Sequence, residues 1–238
     1  MFFTGIHHPH NAHHVPRAFV SINALRGRKS DFPVRDWILD SGAFTTIAKH
    51  GGYPEPPEAY AAQIERWRPV GNMLRAVSQD WMCEPAMLER TGLDVAVHQR
   101  LTIDRYDILR ALCGPIVMPV LQGYQPAEYV SHVEQYGDRL TPGMWVGVGS
   151  VCKRNGTPSA IAAVLDAILG VRPDLRPHLF GVKVTSLGEA RVRDRTYSAD
   201  SMAWSFAARY QGRDGNDVRE AVRYTRRVET MAVQESLL

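Results

Sequence analysis

The sequence predicts an α/β fold, an irregular TIM-type (β/α)8 barrel of parallel strands. Two observations predict it. About eight short apolar or β-branched runs recur along the chain, and amphipathic helical patterns separate the later ones. No linker, internal repeat or low-complexity segment interrupts the 238 residues, so one domain over 1–238 is expected.

The expected strands are residues 2–6, 18–22, 37–40, 73–78, 116–121, 145–148, 179–184 and 196–199. Helical periodicity covers 57–67, with Tyr60, Ile64 and Trp67 on one side, and 102–112, with Ile103, Tyr106, Ile108 and Leu109. It returns over 126–136 and over 159–169, where Ile161, Val164, Leu165 and Ile168 align. Such alternation predicts parallel pairing through right-handed crossovers. The segments between the first strands are too short for full helices, which makes the barrel irregular there. A basic helix is expected at about 216–234, capped by Asn216.

Polar and small residues collect at the strand ends: Asp40-Ser41-Gly42, Gln79-Asp80, Gln122-Gly123, Gly147-Val148-Gly149-Ser150, Gly181-Val182-Lys183 and Ser198-Ala199-Asp200. In parallel α/β folds ligands bind over the C-terminal edge of the sheet, so this set is the candidate pocket. Glycine lets a ligand approach the backbone, and the amides and carboxylates supply oriented acceptors and donors. Asp40 and Asp200, far apart in sequence, suit a double displacement or an acid–base pair. The competing reading is that each only caps the following helix.

Composition narrows the classes. Hydrophobic content of 45% and charged content of 22% are those of a globular protein with a sizeable core. No apolar run approaches the ~18 residues of a membrane span, and the opening residues are too short for a secretory core, so a cytoplasmic location is expected. Cys83, Cys113 and Cys152 lack Cys-x-x-Cys spacing, which argues against a disulfide framework or a thiolate zinc site. No G-x-G-x-x-G or G-x-x-x-x-G-K-[ST] occurs, which disfavours a dinucleotide oxidoreductase or P-loop ATPase. Histidines crowd 7–14; His7, His8 and His10 are the nearest approach to a metal set, but Pro9 and Pro16 break any helical ligand spacing, and no metal is expected. Net charge is +3. Lys153 and Arg154, with Arg219, Arg223, Arg226 and Arg227 at helical spacing, are candidate phosphate contacts, a solvated helix face being the alternative.

The strand-end motifs carry a resemblance. Leu39-Asp40-Ser41-Gly42-Ala43-Phe44 resembles the D-S-G-G-F segment of tRNA-guanine transglycosylases. More closely, the chain resembles the deazapurine DNA modification proteins, the DpdA family of phages and genomic islands. The match runs through His7-His8-Pro9-His10, Gln79-Asp80-Trp81-Met82-Cys83-Glu84-Pro85, Thr91-Gly92-Leu93, His98-Gln99-Arg100 and Pro119-Val120-Leu121-Gln122-Gly123. It continues through Val146-Gly147-Val148-Gly149-Ser150-Val151-Cys152, Phe180-Gly181-Val182-Lys183 and Ser198-Ala199-Asp200-Ser201-Met202-Ala203-Trp204.

The resemblance implies a transglycosylase on a barrel that swaps guanine for a 7-deazaguanine. Asp200 then corresponds to the nucleophile on the anomeric carbon, Asp40 to the residue handling the base's proton, and Asp80 to the carboxylate reading the guanine edge. Gln122 and Gly123 match a base-contacting pair, and 147–150 a further wall. Two departures stand out: no zinc site of three cysteines and a histidine follows Cys152, and Ser201, not cysteine, follows Asp200. The first favours DNA over tRNA. The expected partners are DNA and a free 7-deazaguanine base, without redox cofactor, zinc or membrane; a homodimer or separate modification proteins stay open. The chemistry agrees, since an oxocarbenium-like state at C1′ needs a carboxylate and the leaving N9 needs a proton. A target base in duplex must leave the stack, with Phe44, Trp81, Tyr124 or Trp204 as candidate stacking partners. The alternatives are a glycosylase that hydrolyses the bond, a non-catalytic DNA- or base-binding subunit, and a metal-dependent hydrolase on the histidine segment.

Overall fold

A computed structural model of the chain describes residues 1–234; the last four residues of the expected domain lie outside the described residues. Its strands are β1 (Phe2–Gly5), β2 (Arg17–Ser21), β3 (Asp36–Asp40), β4 (Asn72–Val77), β5 (Val117–Met118), β6 (Val120–Leu121), β7 (Trp145–Val148), β8 (Arg176–Leu179) and β9 (Ser198–Ser201). All pair in parallel, in the order β5-β4-β3-β2-β1-β9-β8-β7-β6. The two outer segments are halves of one run broken at Pro119. Ser78 N–H reaches Met118 O at 3.0 Å on one side, and Gly147 N–H reaches Pro119 O at 2.8 Å on the other. Pro119 has no N–H to give, but its carbonyl carries the ladder across the break. The sheet is thus a nearly closed α/β barrel, as expected.

Eleven α-helices surround it among the described residues. They are α1 (Ile22–Leu25), α2 (Ala43–His50), α3 (Pro57–Trp67), α4 (Pro85–Thr91), α5 (Val95–Cys113), α6 (Pro126–Tyr136), α7 (Pro158–Val171), α8 (Val184–Leu187), α9 (Ala190–Arg193), α10 (Ala203–Tyr210) and α11 (Val218–Gln234). Proline opens α3, α4, α6 and α7, where its missing N–H costs no bond and its φ is already helical. Asp94 caps α5 by accepting Val97 N–H at 2.8 Å, and Gln125 with Glu128 forms a capping box on α6. The first units are irregular, as expected: a 3-10 turn over Pro9–His14 joins β1 to β2, and the four-residue α1 follows β2.

Alternation along the strands sorts side chains into two layers. Outward residues such as Trp37, Leu39, Val146, Val148 and Ala199 pack under the helices, while Phe3, Ile38, Val77, Met118, Val120 and Trp145 fill the barrel interior. The helix α11 covers β1, where Thr225 and Thr4 hydroxyls meet at 2.5 Å.

Four expectations needed correction. The seventh strand is Arg176–Leu179, not 179–184, because Gly181 at φ 65° bends the chain away after Phe180. The last strand is Ser198–Ser201, two residues later than 196–199. Helix α11 begins at Val218, and its capping carboxylate is Asp217, which accepts Arg219 N–H at 2.9 Å, while the backbone of Asn216 itself donates to Asp214. The helix expected at 102–112 extends to Val95–Cys113, since the Asp94 cap starts it earlier.

Candidate active site

The inward alternation that fills the barrel with apolar rings continues one step further along each strand, and there the residues turn polar. Above Phe3 comes Gly5, above Phe19 comes Ser21, and above Ile38 comes Asp40. Above Val120 comes Gln122, above Gly147 comes Gly149, and above Ser198 comes Asp200. Together with Asp80, Glu84, Ser150, Phe180 and Gly181 they line a cavity of about 500 Å³ at the C-terminal end of the barrel. That volume is within the usual range for small-molecule sites, ~300–1,000 Å³.

Asp200 is buried on β9, with Phe3 of β1 as its register partner. Its Oδ1 accepts Gly181 N–H at 3.1 Å. Below it lies His178, fully buried, stacked on Phe19 and set edge-on to Phe3, Phe180 and Trp145. Trp145 Nε1–H donates to Ser198 Oγ at 2.7 Å, and that hydroxyl meets His178 Nδ1 at 2.8 Å. His178 Nε2 has no hydrogen bond and faces Asp200 Oδ1 at 3.4 Å. A bare ring nitrogen would repel the carboxylate, so the arrangement that fits has Nδ1 accepting the Ser198 proton and the ring N–H at Nε2, facing Asp200.

Asp40 faces the Ser21 hydroxyl and the N–H groups of Ser41 and Gly42. It therefore does cap the turn into α2, but it also lines the cavity. Asp200 caps nothing: Ser201 Oγ takes Ala203 N–H at the start of α10. Burial, reinforced by the nearby Asp200, pushes the Asp40 carboxyl up to about 6, against the lowering effect of Ser21. Burial also pushes Asp80 up to about 7, with Asp40 and Glu84 adding to it and the Gln122 amide opposing.

The Asp80 carboxylate accepts from Gln122 Nε2. The amide's orientation is fixed because Ser150 Oγ donates to Gln122 Oε1 at 3.0 Å, while Cys83 N–H donates to Ser150 Oγ at 3.2 Å. Ser150 sits at φ 60°, an uncommon conformation for a residue with a side chain, which brings its hydroxyl to this point. Behind Gln122, its N–H donates to His132 Nδ1 at 2.8 Å; burial pushes that imidazole down to about 3 and keeps it neutral. Gly149 leaves room for this arrangement, since a Cβ there would collide with the Gln122 amide.

Residues 1–232 match the family DpdA, described as DeoxyPurine in DNA protein A. The chain belongs to the DpdA family. No curated relative matches it. Membership in the DpdA family ties the chain to deazapurine modification of DNA, with DNA as the substrate.

Seven of the residues expected at the site line the cavity: Asp40, Asp80, Asp200, Gln122, Gly149, Ser150 and Gly181. Six do not. Gln79 turns its Oε1 to Arg105 at 2.9 Å. Ser41 is buried beneath the turn, and Gly42, at φ 69°, backs the Asn23 amide that lines the cavity. Gly147 makes way for the Phe180 ring, and Gly123 packs on Glu128 and Tyr129. Lys183 is exposed, with Nζ 5.9 Å from the centre of the Phe206 ring. Of the four aromatics, Trp81 and Trp204 are buried and Tyr124 lies under Arg154; Phe44 is exposed and lines the cavity. His7 reaches the cavity and bonds Ser205 Oγ at 2.8 Å. No three His, Cys, Asp or Glu residues among those described stand together as a metal set. On α11, Arg219 pairs with Asp217 and Arg223 with Glu220, whereas Arg226 and Arg227 are exposed. No helix among the described residues is long and apolar enough to cross a membrane.

Sequence reasoning missed Ser21, Asn23, Met82, Glu84 and His178. Ser21 ends β2 and Asn23 lies just beyond it, positions like those of the residues that were found. Glu84 is a fourth cavity carboxylate, 5% exposed, with Oε2 unpartnered.

Proposed function

We propose that the chain is a DNA guanine transglycosylase that exchanges guanine for a 7-deazaguanine base, such as 7-cyano-7-deazaguanine, through a covalent aspartyl-glycosyl intermediate. The observation that carries this reading is one cavity holding a positioned carboxylate, Asp200, beside a proton-holding carboxyl, Asp40, and an Asp80–Gln122 pair suited to a guanine edge.

In the first half-reaction an Asp200 carboxylate oxygen forms a bond to C1′ as the C1′–N9 bond breaks. The electron pair of that bond goes to N9, which takes the proton from Asp40. An acid near pH 6 is well matched to this exchange around neutrality. In the second half-reaction the incoming base attacks C1′ through N9 and returns its proton to Asp40, and the ester bond to Asp200 breaks. Gly181 N–H holds Asp200 Oδ1 through both steps, with His178 Nε2 facing the same oxygen, leaving Oδ2 for C1′. Asp80 accepts from the N1–H and 2-amino group of guanine, interactions worth roughly 1.5–3 kcal/mol each when charge-assisted. The target nucleotide must leave a duplex stack to reach this depth.

Exchange is tested by incubating guanine-containing DNA with radiolabelled guanine. Incorporation of label supports the reading. Release of base without incorporation would replace it with hydrolysis, in which water resolves the same intermediate.

A further inference from the structure

Two exposed aromatic rings each have a lysine over them, one lining the cavity and one on the helix that follows β9. Phe44, at the start of α2 after β3, is 48% exposed and lines the cavity; Lys153 Nζ, on the turn after β7, lies 4.8 Å from its ring centre. Strands β3 and β7 are not neighbours in the barrel, β4 and the β5–β6 run separating them on one side and β2, β1, β9 and β8 on the other, so this contact joins two separate parts of the rim. Phe206, on α10 after β9, is 62% exposed, and Lys183, after β8, lies 5.9 Å from its ring centre. Lys183 is two residues beyond Gly181, whose N–H holds Asp200. Neither lysine has a carboxylate partner among the described residues. By contrast, Arg219 and Arg223 on α11 are already paired.

We propose that this rim grips the DNA strand on either side of the extruded guanosine, with Phe44 and Phe206 as stacking surfaces for flanking bases and Lys153 and Lys183 as contacts for the adjoining phosphates. This rests on the reading of the cavity as the base-exchange site. A base has a π-face whatever its sequence, so an exposed ring can stack on it. A phosphate follows each base, so a cation beside each ring meets its complement, displacing a cation–π contact of modest strength. An apolar protein partner would instead have to desolvate both ammonium groups. With Asp200 at C1′ of the target, the sugar lies beside β9, and the backbone leaving it must cross the segment that carries Lys183.

The test is fluorescence anisotropy of a labelled single-stranded oligonucleotide containing one guanine, with Phe44→Ala, Phe206→Ala, Lys153→Ala and Lys183→Ala. Each aromatic change is expected to weaken binding about 5- to 150-fold. Each lysine change is expected to flatten the log–log salt slope by about 0.7. Phe206→Ala and Lys183→Ala, away from the cavity lining, should bind free guanine as the parent does. DNA affinities within twofold of the parent for all four, with the slope unchanged, overturn the proposal, as does a loss confined to Arg226→Ala/Arg227→Ala. If the rim variants lose DNA while the parent binds DNA without exchanging guanine, the rim stands and the exchange reading falls.

Discussion

Asp80→Asn should make the protein more stable and its base recognition worse. The carboxyl is 6% exposed, and its half-titration moves from 3.8 to about 7 on folding, chiefly through burial. A raised folded value means the native state holds its proton where the unfolded chain has lost it. The contribution of this carboxyl to stability is therefore most favourable below about pH 4, falls as pH rises towards 7, and levels off above it. At 1.36 kcal/mol per tenfold change, burying this carboxyl costs about 2 kcal/mol at pH 5, where folding takes up a proton, and about 4 kcal/mol at pH 8, where the ionised form is buried. Asparagine carries no charge to desolvate, and its carbonyl still accepts from Gln122 Nε2. Asp40, raised in the same direction, is present in both proteins, and removing the Asp80 charge relieves its repulsion, which adds to the gain at pH 8. Urea unfolding followed by the five tryptophans at pH 5 and pH 8 reads the difference directly. The variant should gain stability at both values, with the larger gain at pH 8, and should lose guanine affinity because its amide sets a donor against the donors of the base. Equal stability at both pH values, or a variant weaker at pH 8, would refute the reasoning.

Further expectations concern its neighbours. His178→Phe keeps the ring in its aromatic surroundings but removes the donor at Asp200, and should slow single-turnover adduct formation about 100-fold. His178→Gln, with an amide N–H in its place, should recover most of that rate; equal rates in all three proteins would remove His178 from the mechanism. Gly149→Ala pushes the Gln122 amide off Asp80 and should weaken free guanine about tenfold by calorimetry. The turnover rate should decline as pH rises through about 6, where Asp40 loses the proton that N9 requires, and Asp40→Asn should abolish that limb. Guanine affinity should decline in the opposite direction, as pH falls below about 7 and Asp80 is protonated.

Much of the site was legible because period-2 alternation and strand-end position coincide. Asp40, Gln122 and Gly149 each lie one inward step above an apolar interior residue, and Asp200 lies one step above the buried Ser198; both signals are local in sequence. His178 escaped because Arg176-Pro177-His178-Leu179 has no apolar run; its strand character comes from pairing with β7 and β9. Glu84 escaped because 78–84 is irregular, and nothing local says that such a segment folds back over the cavity. Gln79 and Asp80 read alike as a strand end, yet only tertiary contacts turn one to Arg105 and the other to Gln122. The arginines of α11 showed their helical spacing, but not that Asp217 and Glu220 engage two of them. The separation of the barrel into β5 and β6 was equally hidden, since Pro119 interrupts a run that is otherwise continuous.

The central claim is a glycosyl ester on Asp200. It is tested most directly by quenching the protein with guanine-containing DNA in the absence of a replacement base, digesting, and mapping the modified peptide by mass spectrometry. The account predicts a sugar-linked adduct on the β9 peptide at Asp200, present in the parent and missing in Asp200→Asn, with guanine released in equal amount. An adduct that persists in Asp200→Asn, or one that maps to Asp40, would contradict it.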